Sequence, residues 1–441
     1  MSTQQQRRGS PRLHRTALYV AMFSLAPAVA HAAKLDFELG ASVMHSDNIG
    51  LTETDETSDT VVSPELTFDI EQTGSTLQVL AQGNLRYPHY VRNTFDDEVQ
   101  GALSGTLNWT ILPERISFQV ADNLSRQSVN VLDNYVPDNQ QQVNVFSAGP
   151  TFHARFNEVT SGQLDVLYTN TYAEESSEFQ GDRYSAEAQV ERRLNSTDQL
   201  TVNAGALQTH YDSTGAFYDY TRYDAYLGYA SSLASVDIEL EAGYSQIKPR
   251  NYDGDSSSPL FRGDVEWRVA PRTILSAGFL YEFSDAAQNL IIHRDPTDLP
   301  PVDDTLDPGL QIGPQTFRQR RVMLGYYFNG ERFTFQLNPY YERIRYLTTS
   351  SENQDVRAVS AALDWRLRPG LNLALAAVRQ ERKYGDIFRD DTNTLVSVSI
   401  RRELSRHWTS RAYLQRTERD SSSASQSYTE NSVMVTLTYR R

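Results

Sequence analysis

The sequence predicts an all-β protein, a transmembrane antiparallel up-and-down β-barrel of about 20 strands, with 18 as the alternative count. Three observations lead to this fold class. Strand-length segments alternate apolar and polar residues, tight turns alternate with longer polar loops, and the polar side of several strands carries charged residues. A membrane barrel with a wet interior shows all three features together.

Short and long breaks alternate along the chain. The short breaks are Gln72–Ser75, Leu112–Arg115, Asn195–Asp198, Pro271–Arg272, Asn329–Glu331 and Pro369–Gly370. The longer, charged breaks are 46–60, 129–140, 251–258, 285–315, 348–354 and 420–427. A soluble β-sandwich has no reason to place all of its short turns at one end, but a membrane barrel does, because its two rims face different compartments.

The polar faces of the strands favour water inside the barrel. In 236–245, Asp237, Glu239 and Glu241 alternate with apolar residues, and the same split recurs in 359–368. Charged residues on the inner face of a dry core would be very costly. A water-filled lumen removes that cost, so we expect an aqueous channel unless a plug closes it.

The composition fits a barrel and excludes several other classes. Hydrophobic residues make up 39% of the chain and the mean hydropathy is -0.53, as expected when only every second strand residue meets lipid. The absence of cysteine excludes disulfides, thiolate metal sites and lipoprotein acylation. The net charge of -15 argues against a nucleic-acid partner.

The first 32 residues predict a signal peptide, which leaves 33–441 as the mature barrel. Residues 1–15 are polar and arginine-containing, and 16–29 form an apolar run too short for a transmembrane helix. Ala30-His31-Ala32 then matches the small-x-small cleavage rule. An exported barrel belongs in the bacterial outer membrane, with its short turns in the periplasm.

Aromatic residues mark the expected membrane boundary. The four tryptophans each lie near a predicted tight turn and on the apolar side of their strand, where an indole fits the periplasmic-side aromatic belt. They are Trp109, Trp267, Trp365 and Trp408. The last strand alternates up to Tyr439 but ends on Arg440-Arg441, whereas outer-membrane barrels usually end on an aromatic residue. We expect assembly to depend on Tyr439.

The start of the mature chain resembles a known family. Leu39-Gly40-Ala41, the stretch from His45 to Asp47-Asn48-Ile49, and Ser63-Pro64-Glu65-Leu66 look like the opening of the putative β-barrel porin family. That family includes outer-membrane proteins found with exopolysaccharide biosynthesis systems. The likeness extends along the mature chain in length and hairpin rhythm, although only Asp47-Asn48-Ile49 is motif-like. The resemblance implies passage of a secreted polysaccharide and supplies no functional residues.

No constellation in the sequence points to catalysis, a cofactor or a metal. The histidines occur singly in different hairpins, without metal-ligand spacing and without a serine–histidine–acid set that could be nominated. We therefore expect a protein that is not an enzyme. Its expected partners are outer-membrane lipid and lipopolysaccharide, the barrel assembly machinery and a periplasmic polysaccharide-export component.

The charges predicted to line the pore are the candidate functional residues. The acids are Asp237, Glu239, Glu241, Asp264 and Glu266, and the arginines are Arg366, Arg368, Arg382, Arg401 and Arg411. An acidic wall and a basic wall on different arcs would create a transverse field across the pore. Alternatively, the charges pair locally, with Arg262 and Arg268 neutralising the neighbouring acids.

Two further features allow more than one interpretation. Loop 285–315, rich in proline and aspartate, could fold inward as a constriction, bind divalent cations that bridge lipopolysaccharide, or remain a solvated surface loop. Tyr226, Tyr340 and Tyr413 have the inward parity for a sugar track, although tyrosine also suits an aromatic girdle. The leading hypothesis is an exopolysaccharide exit channel; the alternatives are a general diffusion porin and a non-transporting structural or adhesion barrel.

Overall fold

A computed structural model describes residues 33–213, 217–251, 254–292 and 309–441. The predicted signal peptide, residues 1–32, lies outside the described residues, as does most of the long loop that follows residue 292. In the part that the structure describes, no helix is long and apolar enough to cross a membrane.

Twenty long strands form a single sheet. They are β1 (Lys34–Ser46), β2 (Asp59–Thr73), β3 (Leu77–Arg86), β4 (Gln100–Leu112), β5 (Ile116–Ser128), β6 (Gln140–Arg155), β7 (Thr160–Ala173), β8 (Gly181–Arg193), β9 (Asp198–Tyr211), β10 (Tyr220–Ser232), β11 (Val236–Pro249), β12 (Ser256–Ala270), β13 (Thr273–Asp285), β14 (Thr316–Asn329), β15 (Phe333–Tyr346), β16 (Gln354–Arg368), β17 (Leu371–Tyr384), β18 (Arg389–Glu403), β19 (Trp408–Ser421) and β20 (Tyr428–Arg440). The short segment His89–Tyr90 continues β3 along β2. One helix, α1 (Ala286–Ile292), follows β13.

Each strand pairs antiparallel with its neighbours in the chain, and β1 also pairs with β20. The sheet is therefore a closed up-and-down barrel, which confirms the predicted fold class and the count of twenty rather than eighteen. The strands β1 and β10 are full-length, with thirteen residues each. Closure removes both sheet edges, so every strand finds a backbone partner within the wall.

The connections alternate as the sequence predicts. Short turns join the strands at one rim, and the shortest, Pro271–Arg272 and Pro369–Gly370, contain two residues each. Gly370 adopts a left-handed backbone with φ of 69°, a conformation that a residue without a side chain adopts at little cost. The loops lie at the other rim and range from four residues after β17 to thirty after β13. The first strand begins, and the last strand ends, at the turn rim.

The outer face of the wall is apolar. Alternate residues such as Leu240 and Tyr244 on β11 and Leu414 on β19 are exposed there, as lipid-facing side chains are. The four tryptophans are also exposed on this face and lie beside the short-turn rim. Trp109 is 48%, Trp267 49%, Trp365 45% and Trp408 42% exposed. The predicted aromatic belt at the turn rim is confirmed.

The motif Asp47-Asn48-Ile49 fastens the seam between the first and last strands. Asn48 is fully buried and donates to the backbone oxygens of Thr52 and Thr429, at 2.7 and 3.0 Å. Asp47 accepts from the backbone and side chain of Asn431 at 2.7 and 2.8 Å. These bonds tie the first loop to β20, so the motif-like residues have a structural role in closing the barrel.

Candidate functional site

The inner face of the barrel is the candidate functional site. Hydroxyl, amide and charged side chains from alternate strand positions line several cavities within it. One of about 690 Å³ lies beneath α1, one of about 310 Å³ lies beside β18 and β19, and one of about 250 Å³ lies beneath the segment that follows residue 308. The interior combines polar walls with space for water, as the charged parity of the strands predicted.

Three of the five predicted acids are neutralised by neighbours. Arg268 donates to Asp237 at 2.6 Å and to Glu266 at 3.3 Å. Arg262 donates to Glu241 at 2.8 Å and to a carboxylate of β13 at 2.6 Å. Local pairing, the alternative to a transverse field, accounts for these three acids and for the two arginines that the sequence named as their partners.

The other two predicted acids form a pair of like charges. Glu239 on β11 lies directly opposite Asp264 on β12, and both are exposed to the lumen. No basic group in the described ranges lies within ion-pair distance of either residue. Like charges directly opposite each other repel, so this part of the wall keeps a net negative charge.

The five predicted arginines lie on β16 to β19, a different arc from the acids. Arg366 and Arg368 flank the turn rim, where the guanidinium of Arg366 donates to the backbone oxygen of Glu331. Arg401 on β18 lies directly opposite Arg411 on β19. The structure therefore brings Arg401 and Arg411 together, on a different arc from Glu239 and Asp264.

Arg382 has surroundings unlike those of the other four arginines. Only 2% of its surface is exposed, and its guanidinium donates to the amide oxygen of Gln380 at 3.2 Å. It lines the 250 Å³ cavity together with Gly309 and Tyr340. Because Arg382 is buried beside Gly309, it packs within the wall at the loop rim and does not present an exposed charge to the pore.

The three tyrosines of the predicted sugar track all line lumenal cavities, but on separate arcs. The hydroxyl of Tyr226 donates to Glu187, and the Arg262 guanidinium lies 5.4 Å from its ring centroid. Tyr340 accepts from Gln380 at 3.0 Å, and Tyr413 donates to a glutamine of its own strand. They lie on β10, β15 and β19, so the structure does not bring them into one file.

An inner strap crosses the lumen at the loop rim. We use this name for α1 together with residues 309–315. Ala287 and Leu290 of α1 pack against Val143 and Val145, which lie on the inner face of β6, and against Phe179. The described ends of loop 285–315 thus fold inward, as the constriction interpretation predicted. Most of the prolines and acids of that loop lie outside the described residues, including the acids on which the divalent-cation interpretation depends.

A buried carboxylate anchors the start of the strap. Asp285 is fully buried and accepts from the guanidinium of Arg183 at 2.8 Å and from the hydroxyl of Tyr220 at 2.6 Å. Its other oxygen accepts from the backbone N–H of Gln288 at 3.0 Å, which caps the first turn of α1. One side chain therefore both starts the helix and holds it against β8 and β10.

The returning segment of the strap is held at both sides of the barrel. Gln311 donates to the backbone oxygen of Val129 at 2.9 Å, in the loop between β5 and β6. Gln354 of β16 donates to the backbone oxygen of Gly309 at 2.7 Å. Leu310 packs against the cluster of buried residues on β14 and β15. The strap is thus a chord across the lumen rather than a loop above it.

One local pattern in the sequence is typical of this anchor. Asp285 followed by Ala286-Ala287 is an N-cap residue before good helix formers, a pattern that predicts a helix start. Arg183 and Tyr220 gave no such signal, because their contact with Asp285 depends on the closure of the barrel. Only the structure assigns them to the site.

A half-buried carboxylate lies at the loop rim. Glu352, in the loop after β15, is half-buried, and burial raises its pKa, with the charge of Glu178 in the loop after β7 acting in the same direction. One of its carboxylate oxygens has no hydrogen-bond partner among the described residues. Two loops from distant strands therefore approach each other over the lumen.

The histidines within the described ranges stay apart from one another, and no three histidine, aspartate or glutamate side chains there could hold a metal ion. His153 contacts Ser117 at 3.1 Å, and His89 contacts Asp97 at 2.6 Å. The His89 contact lies in a loop and lowers the pKa of Asp97. These histidines bind side chains of their own hairpins.

A comparison with known families finds a match for the last part of the chain. Residues 347–441 match a family described as putative beta-barrel porin 2. The match confirms the predicted resemblance to a β-barrel porin family over the last five strands. It does not include the N-terminal residues on which that prediction was made. No curated protein sequence matches the chain.

Several solved structures align with most of this chain at low sequence identity. A mutant of the ferric enterobactin receptor PfeA from Pseudomonas aeruginosa aligns with a TM-score of 0.47 and 10% identity, over 93% of this chain and 81% of that one. The FrpB iron transporter from Neisseria meningitidis aligns with a TM-score of 0.45 and 8% identity, over 92% and 82%. The copper transporter OprC gives 0.46 and 10%, over 93% and 81%. Similarity at this level says nothing about what this chain binds.

Proposed function

We propose that this protein is an outer-membrane channel that passes an exopolysaccharide. The observation that carries the channel is the closed twenty-strand wall, which is apolar outside and lined inside by hydroxyl, amide and charged groups. A wall with this polar lining needs water within it. The polysaccharide as cargo rests on the resemblance to the β-barrel porin family.

Groups suited to sugars support a carbohydrate cargo. Tyr340 and Tyr413 lie beside glutamine side chains on the inner wall, Gln380 and Gln415. Aromatic faces stack on pyranose rings, and amides bond to sugar hydroxyls. A polymer that slides past needs many weak contacts of this kind rather than one deep site.

The strap favours a channel that is controlled rather than always open. α1 and the segment 309–315 occupy the lumen at the loop rim, with a buried ion pair between Arg183 and Asp285 beneath them. A general diffusion porin would keep this space open. A structural or adhesion barrel would keep this space closed permanently. That is the competing function with which the strap is also compatible.

The proposed orientation and partners follow from the two rims. The turn rim with its four tryptophans faces the periplasm, where an export component would deliver the polymer, and the loop rim meets lipopolysaccharide. Assembly requires the barrel assembly machinery. In this proposal the protein transports and does not catalyse, so it needs no cofactor.

A deletion strain tests the proposal. We expect loss of secreted polysaccharide together with accumulation of polymer in the periplasm, and restoration of secretion by the wild-type gene. Secretion at the normal level in the deletion strain would remove the polysaccharide as cargo. Liposome swelling with sugars of graded size would then distinguish a diffusion porin from a closed barrel.

A further inference from the structure

Two arginines face each other on the inner wall without an opposing charge. Arg401 and Arg411 are directly opposite in the register of β18 and β19. Ile400 and Leu414 are exposed on the outer face of the same strands, so the strand alternation directs both arginines inward. No carboxylate in the ranges that the structure describes lies within ion-pair distance of either guanidinium. Like charges in this position destabilise a sheet pair unless something between them is negative.

The space around the two arginines has the form of a small binding site. They line the cavity of about 310 Å³ together with Thr409, Thr436 and Tyr413. Thr436 lies directly opposite Arg411 on the next strand. The wall therefore presents two guanidinium groups, hydroxyl groups and one aromatic ring to the same volume.

The charges of the whole cavity add to a positive site. Arg86 and Arg126 also line it; Arg86 donates to the amide oxygen of Gln100 at 2.9 Å, and Arg126 forms an ion pair with Glu98, outside the cavity, at 3.4 Å. The two glutamates of the cavity, Glu38 and Glu65, are fewer than its four arginines. Glu65 accepts from a serine hydroxyl at 2.7 Å. The guanidinium groups of Arg401 and Arg411 thus remain without a carboxylate partner among the described residues.

We propose that this cavity is an oxyanion subsite, which binds carboxylate or phosphate groups carried by the passing polymer. Guanidinium groups bind such oxyanions in a bidentate manner, and two of them side by side can hold one anion between them. Thr436 would donate to a remaining oxygen, and Tyr413 would contact the sugar that carries the acid. The acidic glycan as the source of the anion rests on the proposed function, whereas the site itself does not.

Current block of the purified full-length barrel in a planar bilayer tests the site. The probes are trigalacturonate, inorganic phosphate and the uncharged maltotriose. We expect both anions to interrupt the current, and the affinity for trigalacturonate to fall about tenfold in Arg401→Gln and in Arg411→Gln. Maltotriose should act equally on all variants. Heat-modifiable gel mobility confirms that each variant folds.

Arg268→Gln is the matched control, because it removes one lumenal arginine that already has carboxylate partners. It should leave block by trigalacturonate unchanged. Equal loss of block in this control, or unchanged block in Arg401→Gln and Arg411→Gln, would overturn the subsite. Block by phosphate alone would overturn the glycan-borne source. A deletion strain that secretes normally would overturn only the proposed cargo, so the two failures are distinguishable.

Discussion

At the scale of single residues, buried polar side chains hold the loops of this barrel to its strands. Asn48 joins the first loop to the last strand, and Asp285 joins the strap to β8 and β10. Asn48 donates from its amide nitrogen to two backbone oxygens, and Asp285 accepts from three donors. A buried polar group of this kind stabilises only while its partners remain, so loss of one side chain leaves several groups unsatisfied.

Replacing Asn48 with alanine should weaken the seam between β1 and β20. The change removes the bonds to Thr52 and Thr429 in a buried position, which costs about 2 kcal/mol. We expect a lower melting temperature in detergent, followed by the heat-modifiable gel shift. Thr57→Ala, an exposed change in the same loop, is the control, and equal effects of the two changes would contradict a special role for Asn48.

Glu352 should make the loop rim sensitive to pH. Its pKa is raised above the usual 4.5, so the folded arrangement binds the proton more tightly than the unfolded chain does. Its contribution to stability is therefore present at acid pH and is lost as the pH rises through the raised value. We expect longer closed times at acid pH in single-channel recordings, and a smaller pH response in Glu352→Gln. An unchanged pH response in that variant would exclude Glu352.

At the scale of elements, the period-2 pattern specifies where the strands lie, and the pairing of β1 with β20 closes the sheet into a barrel. β20 keeps apolar residues outward up to Tyr439, which lies opposite Trp408 with ring centroids 5.2 Å apart. Tyr439 also pairs with Leu39 of β1. The last aromatic residue is thus part of the closing seam, while Arg440 turns inward toward Asp36 at 3.5 Å.

Tyr439→Ala should reduce the amount of assembled barrel. The variant loses the ring that contacts Trp408 and the aromatic end of the last strand. We expect less heat-modifiable protein in the outer membrane at equal synthesis. Arg441→Ala, which changes the chain end without removing an aromatic residue, is the control. Normal barrel levels for Tyr439→Ala would show that assembly does not depend on it.

Release of the strap should open the lumen. Asp285→Ala removes the cap of α1 and leaves the buried Arg183 without its partner, which costs about 3 to 5 kcal/mol. We expect single-channel conductance to rise at least about twofold when the chord swings out of the pore. Asp237→Ala, which breaks a pair near the turn rim, is the control. Equal conductance of Asp285→Ala and wild type would show that the strap does not restrict the pore.

At the scale of the whole molecule, the barrel combines local neutralisation with a residual charge asymmetry. Local pairs neutralise most of the acids, but Glu239 and Asp264 keep negative charge on one arc, and Arg401 and Arg411 keep positive charge on another. Low-dielectric walls focus the field of such groups into the water between them. A transverse field across the pore would therefore be smaller than ten charges would give, and its negative side would rest on Glu239 and Asp264.

Replacing Arg366, Arg368 and Arg401 with glutamine should shift ion preference toward cations. Each change removes a positive charge from the arginine arc and leaves the acid pair in place. We expect the reversal potential in a salt gradient to move toward the cation-selective side. Triple replacement of outward arginines on the same arc, β16 to β18, is the control: Arg357, Arg379 and Arg402. Unchanged ion selectivity in the triple variant would contradict the hypothesis of a transverse field across the pore.

The sequence alone predicted the fold class, a count of about twenty or eighteen strands, the two rims and the facing of most charges. Each of these follows from periodicity, turn length and parity, which are local properties of neighbouring residues. The three-dimensional arrangement was needed to show which charges neutralise each other, and that the strap lies in the lumen with Asp285 bound to Arg183 and Tyr220. Those contacts join residues far apart in the chain, and barrel closure and long side chains set them, so no local pattern specifies them.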